Sequence, residues 1–154
     1  MTTPSGPLGA YEKIVIDAPA SAVWARIRDF GALQDWLPPI AESPADKGNT
    51  PGSVRRLKVR GGGAADETLV SHDEARMQYS YTAADGGALP VTGYMSTIKV
   101  SPQGEQALVE WRGEFYRADR SDNPAADKND DTATGTITSI YQGGLAALKK
   151  LVEG

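Results

Sequence analysis

The sequence contains no cysteine and only one histidine, His72. The absence of cysteine excludes a disulfide scaffold, cysteine-ligated zinc, iron–sulfur clusters and a thiol nucleophile. A site with several histidine ligands is also excluded, and a Ser-His-Asp triad would have to use His72. We therefore expect neither a metal site nor a cofactor.

Long apolar runs and an excess of basic charge are missing as well. No run of about 18 apolar residues is present, so insertion into a membrane is not expected. The 16 Lys and Arg against 20 Asp and Glu give a net charge of −4. Without a basic patch, nucleic acid is not expected as a partner. The first ten residues show no secretory signal, which makes the cytoplasm the default location.

What is present has the composition of one soluble domain. The chain has 154 residues, of which 40% are hydrophobic and 23% are charged. This length suits a single domain. Residues 1–9 are small and rich in Pro and Gly, which predicts a flexible tail. We expect residues 10–154 to form the domain.

Apolar periodicity predicts a strand, two short helices, five strands and a long helix, in that order. The helical segments are 22–30, 33–37 and 132–152. Because short connections join the strands, we expect an antiparallel sheet. The predicted strands are 11–17, 53–60, 66–72, 76–83, 92–100 and 106–116.

The last helix carries the only apolar stripe long enough to cover such a sheet. Its roughly 21 residues, at ~1.5 Å each, span ~30 Å. The predicted fold is α+β, with a curved antiparallel sheet of six or seven strands wrapped around the C-terminal helix and two short helices after strand 1. The space between sheet and helix is a candidate pocket.

Alternation along each strand predicts which side chains face that pocket. Leu57 is taken to face inward, and Arg55, two residues away, then lies on the same face. In the same way, the inward Leu69 places Glu67 on the inner face. The same count turns His72 outward. The other inward side chains include Tyr79, Tyr81, Tyr94, Ser96, Trp111 and Phe115.

The inward Arg55 and Glu67 have three interpretations. Buried charges destabilise a small domain by several kcal/mol unless they are paired or hydrated. Either the alternation is misjudged in one strand, or the two residues form a structural ion pair, or they line a ligand pocket. Aromatic rings with a few convergent polar groups are typical of small-molecule pockets.

Five segments carry a resemblance to a known superfamily. They are VIDAPASAVWARIRDFGALQDWLPPI (15–40), GSVRRL (52–57), DETLVSHDE (66–74), GYMSTIKV (93–100) and VEWRGEF (109–115). In order and spacing they resemble the SRPBCC superfamily of polyketide cyclase/dehydrase-like, lipid-transfer (START) and Bet v 1-like proteins. The similarity extends over about residues 10–153. It implies the helix-grip fold and a hydrophobic cavity.

The middle of the chain is most similar to the plant abscisic acid receptors and small bacterial polyketide-cyclase-like proteins. This resemblance implies that Glu67 matches a pocket acid of the receptors, and that Tyr94 and Ser96 match polar pocket residues. It also implies pocket positions for Ile140 and Gly144 on the long helix.

Two glycine-rich loops stand where those receptors carry a gate and a latch. Residues 61–65 read Gly-Gly-Gly-Ala-Ala in place of the gate sequence Ser-Gly-Leu-Pro-Ala, and residues 86–90 lack the latch sequence His-Arg-Leu. Hormone sensing with phosphatase capture is therefore not implied. The loops are either plain hairpin turns or movable loops that admit a ligand.

Two apolar positions also have two interpretations. Trp36 either lines the pocket entrance or caps the core. Gly144 either allows close packing or leaves room for a ligand under the helix, and its place on the apolar stripe favours room for a ligand.

The acidic segment before the long helix has D-x-N-x-D spacing over residues 127–131. Thr132 and Thr138 stand where a calcium loop needs Gly and Glu, which argues against calcium. We expect Asp130 or Asp131 to cap the helix.

These features lead to three functional hypotheses. The first is binding of a small hydrophobic or aromatic molecule that is polyketide-, lipid- or isoprenoid-like. The second is a cyclase- or dehydratase-type enzyme in which Glu67 is the acid or base and Tyr94, with other pocket tyrosines, stabilises an oxyanion. The third is an accessory module that binds a protein partner through the glycine loops. The sequence also leaves a homodimer open. The ligand-binding candidates are Arg55, Leu57, Glu67, Leu69, Tyr79, Tyr81, Tyr94, Ser96, Trp111, Ile137, Ile140, Tyr141, Gly144 and Trp36.

Overall fold

Seven antiparallel strands form one sheet, and a long C-terminal helix packs against it. The computed structural model describes residues 7–154. The strands are β1 (Leu8–Ile16), β2 (Ile40–Glu42), β3 (Val54–Val59), β4 (Ala64–Asp73), β5 (Gln78–Ala83), β6 (Val91–Gln103) and β7 (Gln106–Arg117). Their order in the sheet is β1-β7-β6-β5-β4-β3-β2, so the first and last strands of the chain are neighbours.

Two α-helices and two 3₁₀ segments complete the fold. They are α1 (Ala20–Ile27), a 3₁₀ helix (Phe30–Asp35), a 3₁₀ turn (Ala126–Lys128) and α2 (Asp130–Glu153). The predicted α+β architecture, with two short helices after strand 1 and a sheet around the last helix, is confirmed. Neither helix combines the length and the hydropathy needed to cross a membrane, over the described residues.

The strand ends shift by up to three residues from the prediction, and two further differences concern the predicted tail and the number of strands. Strand β1 begins at Leu8, so residues 8 and 9 of the predicted tail belong to the sheet. The rest of that prediction falls on residues 1–6, outside the described range, and on Pro7. The short strand β2 lies within a segment that the sequence pattern left without a strand. It pairs with β3 through Ile40 and Val59.

The cap of α2 also differs from the prediction. Asn129 has an extended backbone and accepts a hydrogen bond from the Thr132 amide at 2.9 Å. Asp130 and Asp131 are therefore the first helical residues rather than the cap. Negative charge there is favourable, because the helix dipole is positive at this end.

The other end of α2 is tied to β1. The Lys149 ammonium donates to the Val15 carbonyl at 2.9 Å, and the Asp17 amide donates to the Glu153 carboxylate at 2.8 Å. These contacts hold the helix across one side of the sheet, above the space that the curved strands enclose.

A β-bulge in β4 reverses the side-chain alternation. Leu69 pairs with Tyr81 and Ser71 pairs with Ser80, which leaves Val70 as one extra residue. Side chains beyond a bulge point to the opposite face from the one that simple counting gives. His72 therefore points inward, and its predicted outward position is wrong.

The inward His72 is packed into the core. Its side chain is 5% exposed, and its ring centroid lies 5.5 Å from that of Trp24. Its Nε2 is 2.6 Å from the Arg28 carbonyl at the end of α1. Since a carbonyl only accepts, this nitrogen donates. His72 thus links β4 to α1.

Candidate functional site

A small enclosed cavity lies between the inner face of the sheet and α2. Its volume is about 50 Å³, whereas ligand pockets typically measure about 300–1,000 Å³. The described conformation is therefore closed. The wall is mainly aliphatic and aromatic, and Glu67 is its one charged residue.

Half of the sequence-predicted ligand residues lie at the cavity wall. These are Leu57, Glu67, Tyr81, Tyr94, Trp111, Ile137 and Ile140. The others are buried beside the wall without lining it, and they are Arg55, Leu69, Tyr79, Ser96, Tyr141, Gly144 and Trp36.

The rest of the wall consists of small and aliphatic residues that the sequence did not single out. They are Leu33, Leu37, Ile40, Val59, Ala65, Ala88 and Leu89. Leu33 and Leu37 stand four residues apart in a predicted helical turn, which was a usable signal. Ala88 and Leu89 come from a loop, where no periodicity marks an inner face.

Arg55 and Glu67 form a buried ion pair directly across β3 and β4. Both Nε and Nη2 of Arg55 contact Glu67 Oε1, at 2.8 and 2.7 Å. The side chains are 1% and 5% exposed. The predicted inward alternation is therefore confirmed for both residues.

The third nitrogen of the Arg55 guanidinium also has partners. This nitrogen, Nη1, donates to the Phe30 carbonyl at 3.0 Å and to the Tyr79 hydroxyl at 3.4 Å. The guanidinium carbon lies 4.1 Å from the Phe30 ring centroid and 4.6 Å from that of Tyr81. A cation held against aromatic faces in this way is stabilised without water. Arg55 therefore holds Glu67 in place from outside the cavity wall.

Glu67 keeps one carboxylate oxygen free. Within residues 7–154, no group donates a hydrogen bond to its Oε2, since both guanidinium contacts go to Oε1. Burial raises the pKa of the Glu67 carboxyl above its ordinary value, and the Arg55 charge opposes this rise. A carboxyl group with a spare acceptor is thus present in a mostly apolar wall.

A chain of hydroxyl groups runs from the cavity wall into the core. The Tyr94 and Tyr141 hydroxyls are 2.6 Å apart, and Tyr141 is 2.9 Å from Ser96 Oγ. Trp111 Nε1 donates to Ser96 Oγ at 3.0 Å and to the Tyr81 hydroxyl at 3.2 Å. Residues of β5, β6, β7 and α2 are joined by these bonds.

The phenols of this chain stay protonated well beyond neutral pH. Burial raises the pKa values of Tyr81 and Tyr94 far above their ordinary value. It raises the pKa of Tyr141 to about 12, although the hydrogen bonds with Ser96 and Tyr94 oppose the rise. At neutral pH these groups can donate or accept hydrogen bonds, but they are not bases.

Gly144 packs closely instead of opening space, so the favoured interpretation of this residue is wrong. A Cβ atom at this position would lie 2.6 Å from Leu37 Cδ1 and 2.9 Å from Trp111 Cζ3. The missing side chain lets α2 approach the Trp111 ring. The space is therefore filled by protein.

Trp36 belongs to the core rather than to an exposed entrance. It is 3% exposed, and its ring centroid lies 5.5 Å from that of Trp111. Its Nε1 has no hydrogen-bond partner in the described part of the chain. Trp36 is thus a core residue that packs against Trp111.

The two glycine-rich loops contact each other and close one end of the cavity. Gly61, Gly62 and Gly63 all have positive φ, between 87° and 120°, which forms the tight turn between β3 and β4. The Ala88 amide in the other loop donates to the Ala64 carbonyl at 2.9 Å. Ala88 also lines the cavity, so separation of the loops would open it.

The comparisons with known proteins agree with this geometry. Residues 9–153 match the family described as polyketide cyclase / dehydrase and lipid transport. The chain belongs to this family and, through it, to the SRPBCC superfamily. Among curated proteins, none matches the chain significantly.

Solved structures show the same fold. The protein XoxI from Bacillus cereus is 31% identical, with a TM-score of 0.79 and 94% of each chain covered. An uncharacterised protein from Bacillus thuringiensis is 30% identical, with a TM-score of 0.80, 96% of this chain and 100% of that chain covered. The Zhui aromatase/cyclase from a Streptomyces species is 17% identical, with a TM-score of 0.73, 96% of this chain and 94% of that chain covered. At that identity the likeness concerns the fold alone.

Proposed function

We propose that this protein binds a small hydrophobic molecule in the cavity between the sheet and α2. The observation that carries the proposal is the free Oε2 of Glu67 in a wall that is otherwise mainly apolar. The Glu67 side chain is 5% exposed, and Oε2 is not among the fully buried atoms without a partner in the described chain. It is therefore a spare charged acceptor at the cavity wall. A ligand hydroxyl that reached Oε2 would form a charge-assisted hydrogen bond while the rest of the ligand buried its apolar surface.

A purely structural ion pair accounts for this arrangement less well. Guanidinium and carboxylate groups often pair through two parallel hydrogen bonds that use both carboxylate oxygens. Here Arg55 uses Nε and Nη2 on the same oxygen, and its Nη1 is bound to Phe30 and Tyr79. The geometry leaves Glu67 with recognition capacity that the fold itself does not use.

Ligand binding requires the cavity to expand. About 50 Å³ holds water but no drug-sized molecule. The backbone hydrogen bond from the Ala88 amide to the Ala64 carbonyl would break if the glycine loops separated. We therefore take the glycine loops as movable rather than as fixed turns.

The test uses a neutral fluorescent probe, N-phenyl-1-naphthylamine, whose emission rises in apolar surroundings. Ala65 lies at the cavity wall, and Ala65→Met fills the cavity; Ala64 is exposed, so Ala64→Met is the matched control. We expect the wild type and Ala64→Met to bind the probe and Ala65→Met to lose most of its affinity. Equal binding by all three proteins, or no binding by the wild type, would contradict the proposal.

An enzymatic role is the second candidate, and one observation favours it. The pKa of Glu67 is raised by burial, and Tyr81 and Tyr94, which stay protonated, lie on the same cavity wall. A carboxyl group with a raised pKa beside phenol donors is suited to acid–base chemistry. Glu67→Gln separates the two roles, because an enzyme would lose turnover and keep its ligand, whereas a binder would lose affinity only.

A further inference from the structure

The hydroxyl chain beside the cavity has a fixed direction of proton donation. The Ser96 hydroxyl donates its single proton to the Arg112 carbonyl at 2.9 Å. Ser96 Oγ must then accept from Tyr141, which commits the only hydroxyl proton of Tyr141. Tyr94 must therefore donate to Tyr141. It follows that Tyr94, at the cavity wall, can offer a ligand only its oxygen lone pairs.

Tyr81 has the opposite character. Its oxygen accepts a hydrogen bond from Trp111 Nε1 at 3.2 Å. Its own hydroxyl proton has no acceptor among residues 7–154. The ring centroids of Tyr81 and Tyr94 are 6.1 Å apart, so a free donor and a free acceptor lie side by side at the wall.

Glu67 adds a second acceptor on the same face. Glu67 pairs with Ala83, two residues along β5 from Tyr81, which places the two side chains diagonally on adjacent strands. Oε2 is free, as described above. The charge of Glu67 is balanced by Arg55, so this end of the cavity has no uncompensated positive charge to attract an anion.

We propose that this group of Glu67, Tyr81 and Tyr94 recognises one uncharged hydroxyl group on a hydrophobic ligand. This proposal rests on the proposed function and specifies its ligand. A hydroxyl can donate to Glu67 Oε2 or to Tyr94 and accept from Tyr81 at the same time. A carbonyl could use only Tyr81, and a carboxylate would place a second negative charge beside Oε2 and the Tyr94 lone pairs.

The experiment compares three ligands of one shape, namely 2-naphthol, 2-methylnaphthalene and 2-naphthoate. Each displaces N-phenyl-1-naphthylamine from the full chain at neutral pH, where 2-naphthol is uncharged. We expect 2-naphthol to bind about tenfold more tightly than 2-methylnaphthalene, as one or two net hydrogen bonds allow. We expect 2-naphthoate to bind more weakly than 2-naphthol.

Two matched variants test the assignment to the wall. Tyr81→Phe removes the free donor and should reduce the preference for 2-naphthol over 2-methylnaphthalene severalfold. Tyr79→Phe is the same substitution at a tyrosine whose hydroxyl lies beside Arg55 and which does not line the cavity. This variant should keep the preference for 2-naphthol over 2-methylnaphthalene. The affinity for 2-methylnaphthalene shows in each case that the cavity is intact.

The outcomes separate this proposal from the proposed function. If the probe binds but the three ligands have equal affinity, or if 2-naphthoate binds best, the hydroxyl site is overturned and the hydrophobic cavity stands. An unchanged preference in Tyr81→Phe also overturns it. If neither the probe nor any ligand binds the wild type, the proposed function itself fails.

Discussion

The imidazole ring of His72 lies parallel to the phenol ring of Tyr79, with the centroids 5.9 Å apart and the planes 6° from parallel. The two residues are paired across β4 and β5 only because Val70 is extra in β4. Tyr79 in turn accepts a hydrogen bond from Arg55. The bulge therefore builds a stack that supports the buried ion pair from one side.

This stack predicts that His72→Ala destabilises the protein. The variant loses buried ring contacts and the hydrogen bond to the Arg28 carbonyl, and we expect a loss of about 2–3 kcal/mol in the free energy of unfolding. Ser71→Ala, at the exposed neighbouring position, should stay within about 0.5 kcal/mol of the wild type. Urea unfolding measures both, and similar values for the two variants would contradict the inward position of His72.

We predict that replacing each of two adjacent glycines in α2 by alanine changes the stability of the protein in opposite directions. Gly144→Ala places a Cβ against Leu37 and Trp111, and overpacking of this kind destabilises by about 1–3 kcal/mol. A Cβ at Gly143 meets nothing within 4 Å, so Gly143→Ala should stabilise by up to about 1 kcal/mol through helix propensity. Thermal unfolding of the two variants is the measurement, and a shift of the same sign in both would refute the packing argument.

We predict that removal of the Arg55 charge lowers the stability of the protein by an amount that depends on pH. Arg55→Met leaves the Glu67 charge buried and unpaired, which destabilises by about 3–5 kcal/mol at neutral pH. Without the arginine, the folded-state pKa of Glu67 lies further above the ordinary value of 4.5. The folded protein then holds a proton that the unfolded chain has released, so stability falls as the pH rises above 4.5 and recovers below it.

Urea unfolding of Arg55→Met from acid to neutral pH checks this dependence. The double variant Arg55→Met/Glu67→Leu serves as its control, because it removes both charges and should recover most of the lost stability without the pH dependence. A double variant as unstable as Arg55→Met would show that packing, rather than the unpaired charge, caused the loss.

We predict that ionisation of Tyr141 lowers the stability of the protein in alkali. Its pKa rises from 10.0 in the unfolded chain to about 12 in the fold. Its contribution to stability is therefore fully present below pH 10.0 and is lost as the pH rises through about 12. In Tyr141→Phe the decline of unfolding free energy over this range should be shallower. An equally steep decline in both proteins would assign it to other groups.

We predict a second route for a ligand at Ile140, in addition to the opening at the glycine loops. Ile140 lines the internal cavity and also an outer groove beside Pro39 and Ser139, so a smaller side chain here is expected to connect the two. We expect Ile140→Ala to accelerate both association and dissociation of N-phenyl-1-naphthylamine severalfold in stopped-flow fluorescence, with less change in Kd. Leu89→Ala is the control at the glycine loops, and faster exchange in that variant alone would place the route there.

Simple alternation predicted the polar centre of the site because β3 and the first half of β4 are regular. Arg55 and Glu67 lie before Val70, so counting from Leu57 and Leu69 places them correctly. His72 lies beyond the bulge, and a one-residue insertion has no signature in the hydrophobic pattern. The order of the helices and of the other six strands was predictable because their periodicity is local, whereas the three-residue β2 is too short to show one.

Features set by distant contacts could not be predicted in this way. The apolar stripe of α2 identifies Gly144 as inward, but only the fold shows that Leu37 and Trp111 meet it. Asn129 caps the helix because its own backbone is extended, a choice among three adjacent polar residues that composition leaves open. The direction of the hydroxyl chain depends on the Arg112 carbonyl, which no side-chain motif reveals.

The two end strands of the sheet have a consequence for association between copies of the chain. Strand β2 has only 3 residues, and β1 lies against α2, with Lys149 bound to the Val15 carbonyl. Long unpaired strand edges are the usual template for aggregation. This sheet offers a minimal edge on one side and a helix-covered edge on the other, so cross-β growth has little backbone from which to start.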